Sequence, residues 1–257
     1  MPSQLIHLQI CADALEALEG RHGGHPPAHG LSASCDLTAF TGHFLLGAIA
    51  PDAWAVSGST RQATHFWDPL EDASSTARLR AAHPELGDPD ALDPAARAYL
   101  AGYCCHLVTD EQWTFTIYRA YFGRHSAFKA SPEGAMTQLA LQALLEQRLR
   151  ERRPADVQRW LHALADTPAV SLPFLTAEAV ARWRDVLLEA CARPSMAEAF
   201  RYFLSRTRGP DAGALDWPVL MHRAAAHVPP EAVQTFQTRA ARACLAELER
   251  PRTIIGR

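Results

Sequence analysis

The stretch DPAARAYLAGYCCHLVTDEQW, residues 93–113, decides the fold class. Asp93 followed by Pro94 is a helix N-cap with proline at the first helical position. Good helix formers follow without another proline, so the helix is expected to continue to about Phe122, with Gly123 as its stop. At about 100° per residue, Tyr99, Tyr103, His106, Asp110, Trp113 and Ile117 fall on one stripe. An imidazole and a carboxylate therefore sit in the middle of the aromatic, buried side of a long helix.

The rest of the chain has the same character. Alanine, leucine, arginine and glutamate dominate, and β-branched runs are scarce, which favours helix nearly throughout. Ser3 opens a first helix that runs to about Glu19, before Gly20. A Gly/Pro/His-rich loop covers residues 22–30, and His22, His25 and His29 read as solvated loop groups. A second helix spans Leu37 to Ala50 and stops at Pro51. Residues 51–92 read as a long irregular connection with short helical turns, and a connection of that length in a compact domain is usually either functional or a misassigned run of elements. Further helices fit 133–152, 155–165, 176–191, 195–207, 213–227 and 231–249. The expected fold is all-α: one multi-helix domain over residues 1–257 with a loop-rich insertion.

Composition narrows the function. Hydrophobic residues make up 48% of the 257-residue chain, enough for a sizeable core. The formal charge of -3 supplies no basic field for polyanions, so no nucleic-acid partner is expected. The basic run Arg148–Arg153 contains Glu151 and reads as a solvated helix end. No stretch reaches the roughly 18 apolar residues of a membrane span. The opening Met-Pro-Ser-Gln-Leu-Ile-His shows no secretory pattern. The cysteines, Cys11, Cys35, Cys104, Cys105, Cys191 and Cys244, have no CxxC spacing. They read as small buried hydrophobes in a reducing compartment, with the cytoplasm the expected location.

A buried, ionised Asp110 costs several kcal/mol unless it is paired or bound to a cation. The spacing alone leaves two readings open: a His106–Asp110 pair satisfying itself in the core, or a metal site, since both groups ligate zinc. Three other places bear on the choice. His7 shares an inward stripe with Leu8, Cys11, Ala14 and Leu18. Asp52 follows Pro51 directly after an apolar helix, where a plain turn residue is the usual role. His65 stands beside Phe66 and Trp67 in Thr-His-Phe-Trp-Asp, where a structural histidine is the ordinary reading. Together His7, Asp52, His65, His106 and Asp110 form a set of nitrogen and oxygen donors adequate for two zinc ions if one carboxylate bridges.

The order His, Pro-Asp, His-Phe, then Gly-Tyr-x-x-His-x-x-x-Asp, with separations of 45, 13, 41 and 4 residues, resembles the zinc-dependent phospholipase C family. That family is related to the zinc-dependent single-strand nucleases. The resemblance implies a helical bundle of phospholipase C type. It also implies one zinc held by Asp52, His65, His106 and Asp110, and a second bridged by Asp110 and held by His7. The second zinc would also take the amino group of the first mature residue, here Pro2 if Met1 is removed. His125, His162 and Asp166 are the candidates for a third metal, although His162 and Asp166 project away from the apolar face of their helix.

The implied activity is metal-dependent hydrolysis of a small-molecule or lipid phosphoester. Asp52 orients or deprotonates the attacking water. Trp54, Phe66, Trp67 and Tyr103 stand as an apolar wall for substrate or as core packing. Single-strand nuclease activity and a metal-stabilised family member with other small-molecule chemistry or no catalysis are the alternatives.

Overall fold

A computed structural model describes residues 3–22, 37–67, 74–87, 92–208 and 216–250. The α-helices are α1 Gln4–His22, α2 Thr41–Ile49, α3 Trp54–Ser57, α4 Arg61–His65, α5 Ser75–Ala82, α6 Pro94–Trp113, α7 Pro132–Arg152, α8 Pro154–Asp166, α9 Ala177–Cys191, α10 Met196–Arg208, α11 Trp217–His227 and α12 Pro230–Leu248. Among the described residues the β pairing is an isolated bridge between Leu172 and Leu175. None of these helices is long and apolar enough to cross a membrane. The all-α expectation therefore holds. The long connection carries α3, α4 and α5 and two 3-10 turns, Ala50–Ala53 and Pro84–Gly87, as its punctuation suggested.

Helix α6 is the axis of the fold. Asp93 caps it, its carboxylate accepting from Ala96 N at 2.8 Å. α6 packs against α2 on one side and α12 on the other, with α1 resting on both of those neighbours. Two glycines let α2 and α6 approach closely. A Cβ on Gly47 would lie 1.9 Å from the carbonyl oxygen of Tyr99, and one on Gly102 would lie 1.9 Å from that of Phe44. Any side chain at either position would drive the two backbones apart. The inward stripe is buried as expected: Tyr99, Tyr103, His106, Trp113 and Ile117 are fully enclosed, and Asp110 nearly so.

The helix does not stay α to Phe122. At Thr114 it becomes a π-helical segment, Thr114–Phe122. The hydroxyl of Thr116 donates to the carbonyl of Gln112 at 2.5 Å, a back-bond that loosens a helix locally. The altered turn delivers Phe122 into the core, stacked on Phe128 and edge-on to His227.

Candidate metal centre

The five donors come from four elements, with His106 and Asp110 both on α6. His7 lies in the second turn of α1 and is fully buried. Its ring stacks on that of His106, with centroids 3.8 Å apart and planes 6° from parallel. Asp52 sits on the 3-10 turn that Pro51 starts at the end of α2. Its Oδ2 accepts from Gln4 Nε2 at 2.5 Å, so α1 aims this carboxylate. That oxygen, expected to orient or deprotonate water, is thus already a hydrogen-bond acceptor.

His65 ends the five-residue helix α4. Thr60 caps the start of that helix, accepting from Ala63 N. Phe66 closes it in the left-handed region, with φ at 51°. A bulky residue there costs of order 1–3 kcal/mol and persists only when its surroundings hold it. Phe174 and His83 do so, both packing on the Phe66 ring. His65 Nδ1 lies 3.1 Å from the carbonyl of Arg61. His106 Nδ1 lies 2.7 Å from the carbonyl of Ala48, across the α2–α6 contact. A carbonyl oxygen only accepts, so His106 Nδ1 carries a proton and the neutral His106 ring turns an Nε2 lone pair to the site, while His65 Nδ1 also has the Thr64 hydroxyl at 3.0 Å.

The Nε2 atoms of the cluster meet carboxylates. His65 Nε2 is 3.3 Å from Asp52 Oδ1, 3.5 Å from Asp110 Oδ2 and 3.4 Å from His106 Nε2. His7 Nε2 is 3.4 Å from Asp110 Oδ1. Zinc bonds of about 2.0–2.1 Å give a tetrahedral edge of about 3.3 Å between donors. All four distances match that edge and exceed the usual hydrogen-bond length of about 2.9 Å. Asp52 Oδ1, Asp110 Oδ1 and His7 Nε2 make no hydrogen bond although buried. The two oxygens of Asp110 point to different partners, as a bridging carboxylate would. The donor set fits a metal, and two overlapping triads emerge: Asp52, His65 and His106; and His7, His106 and Asp110.

The protonation states suit a cation. Burial and the neighbouring His7 depress His106 to about 3, so this imidazole is neutral at ordinary pH. Burial opposes ionisation of both carboxylates, yet contact with His65 and then His106 outweighs it at Asp52, whose carboxyl is held below its ordinary value. At Asp110, contact with His7 and the guanidinium of Arg61 does the same.

Arg61 was not singled out from the sequence. Its guanidinium donates to Asp110 Oδ2 at 2.6 Å and is partly exposed. It also lies over the ring of Trp67, 5.8 Å from the centroid. Arg61, Gln4 and Asp52 border a cavity of about 380 Å³. Trp54, Trp183, Phe200 and Phe203 supply its apolar wall, and Gln138, Gln142 and Glu146 a polar stripe along α7. Glu146 is buried, accepts from Leu5 N at 3.3 Å, and is pushed above its ordinary value by burial. Only the four-residue spacing of these α7 side chains hinted at that stripe.

Of the four aromatics expected as a substrate wall, Trp54 lines this cavity. Tyr103 is fully buried and donates its hydroxyl to the carbonyl of Thr64. It and Phe66 both pack on Phe174. They hold α4 against α6. Trp67 stands under Arg61 instead.

Glu111 is half-buried and accepts from Ser75 N at 2.5 Å, which ties α5 to α6. The third-metal candidates do not join the cluster. His125, His162 and Asp166 are exposed, and the latter two border a separate surface hollow along α8. Pro2 lies outside the described residues, as do His25 and His29. Comparison with protein-family models, curated proteins and solved structures finds nothing that matches this chain.

Proposed function

We propose that the chain is a metal-dependent hydrolase of phosphoric esters, of phospholipase C type, with two zinc ions held by His7, Asp52, His65, His106 and Asp110. One observation carries this: three imidazoles and two carboxylates converge, buried, at zinc-like separations longer than ordinary hydrogen bonds. Bound zinc would supply Lewis-acid polarisation of a phosphoryl oxygen and a water of lowered pKa. The protein's own groups supply the rest. Asp52 Oδ2 keeps one lone pair beyond the Gln4 bond and can take a proton from water. Arg61, at the cavity rim, offers a planar guanidinium to the anionic ester. Trp54, Trp183, Phe200 and Phe203 exclude water and receive the apolar part of a lipid or small-molecule substrate. A cytoplasmic location agrees with free thiols at all five described cysteines.

The test is hydrolysis of a chromogenic phosphodiester and of phospholipid by the zinc-loaded chain. Turnover that vanishes with a chelator and returns with zinc supports the proposal. No turnover on any phosphoester by protein shown to hold zinc would sink it. Single-stranded DNA in the same assay separates the nuclease alternative.

A further inference from the structure

A second donor cluster lies beside the first and differs in kind. Cys11 on α1, Cys105 on α6 and Cys244 on α12 come from three helices far apart in sequence. Their Sγ atoms all lie within 4.8 Å of one another. All three residues are fully buried. The other described cysteines stand outside this cluster: Cys104 is buried as a small hydrophobe, and Cys191, partly buried, accepts from Arg150 at 3.3 Å.

The triad occupies the contact that organises the fold. Cys105 immediately precedes His106 but points to α12, where Cys244 Sγ lies 3.4 Å from the carbonyl of Cys105. Cys11 follows His7 by one helical turn. Thr109 Oγ1 adds a hydroxyl 3.4 Å from Cys244 Sγ. Metal–sulfur bonds of about 2.3 Å place three thiolates about 4.0 Å apart around one ion, within the observed spread. Two of these cysteines could instead form a disulfide, but that would leave the third unused.

Soft thiolates and the nitrogen and oxygen set select different metals.

We propose that Cys11, Cys105 and Cys244 form a separate thiolate site for one thiophilic closed-shell cation of the zinc, cadmium or copper(I) class. The site is enclosed, so it fills as the chain folds, and it clamps α1, α6 and α12 together beside the His/Asp cluster. This proposal does not depend on the hydrolase proposal, since it concerns other residues and another readout.

The experiment refolds the full chain from denaturant, under reducing conditions, with a few equivalents of cadmium. Ultraviolet thiolate-to-cadmium charge transfer and the cadmium X-ray absorption edge are recorded. Sulfur neighbours and a charge-transfer band are expected in the wild type and in Asp52→Asn, which perturbs only the other cluster. Both signals should vanish in Cys244→Ala and in Cys11→Ser, with helicity by circular dichroism confirming that at least one variant folds. Parallel refolding with zinc, and with copper(I) from a weak chelator, tells which ion of the class is preferred. Cadmium held without sulfur neighbours, retention unchanged in folded Cys244→Ala, or a disulfide within the triad of protein purified under reducing conditions overturns the proposal.

Discussion

His65 Nε2 and His106 Nε2 face each other at 3.4 Å. The Nδ1 of His106 donates to the carbonyl of Ala48, so its Nε2 offers a lone pair. Two carboxylates lie 3.3 and 3.5 Å from His65 Nε2, and one His65 proton can serve only one of these three acceptors. A cation at the centre would satisfy all of them at once.

Asp52→Asn tests that view by giving opposite signs in two measurements. Without metal the variant is expected to be at least as stable as wild type, because one of two crowded buried anions is gone. Zinc affinity and phosphodiester turnover should each fall at least about 100-fold, beyond the 10–100-fold typical of changes around a ligand. Thermal melts with and without zinc check it. Equal destabilisation in both would mean Asp52 is structural.

Arg61→Ala separates substrate binding from metal binding. Arg61 competes for Asp110 Oδ2, so its loss should let zinc resist a chelator as well as or better than before. KM for an anionic ester should rise about tenfold, the size of one charge-assisted hydrogen bond. Loss of metal along with substrate affinity would contradict this division of roles.

The metal-free protein should lose stability as pH falls from about 6.5. His106 titrates near 6.5 when unfolded and only at about 3 when folded. The unfolded chain therefore binds the extra proton between those values. The stability this provides is complete above about 6.5 and is lost on going down, by up to about 1.4 kcal/mol per pH unit. Urea midpoints between pH 8 and 4 measure it. His106→Asn should flatten the slope; an unchanged slope would assign the loss to other groups.

Gly102→Ala should destabilise by about 3 kcal/mol or more, because its Cβ would meet the backbone at Phe44 and Ala48 rather than a side chain that can move. It should also weaken zinc retention, since Ala48 holds the His106 ring. Gly20→Ala is the control: nothing lies within 4 Å of its Cβ, and stability should hold or rise. Normal zinc retention in folded Gly102→Ala would disconnect the helix contact from the site.

Much of this was legible in the sequence, for identifiable reasons. The helices were, because Asp93-Pro94 and the Gly and Pro punctuation mark their ends. His7, His106 and Asp110 were, because helical periodicity alone turns them inward. Gln4, Arg61 and Glu146 were not. Each is an ordinary surface-type residue whose role arises only when α1, α4 and α7 meet at Asp52 and Asp110. Tyr103 and Phe66 were ambiguous because an aromatic reads the same whether it faces substrate or core. The cysteine triad was invisible for a related reason: its members are joined by tertiary packing, with no local spacing to mark them.

Zinc-edge anomalous diffraction from crystals of the purified, zinc-loaded chain tests the central claim most directly. One peak is predicted amid Asp52 Oδ1, His65 Nε2, His106 Nε2 and Asp110 Oδ2, and another beside His7 Nε2 and Asp110 Oδ1. A map with no peak at either place, and with the imidazoles hydrogen-bonded to the carboxylates instead, would contradict it.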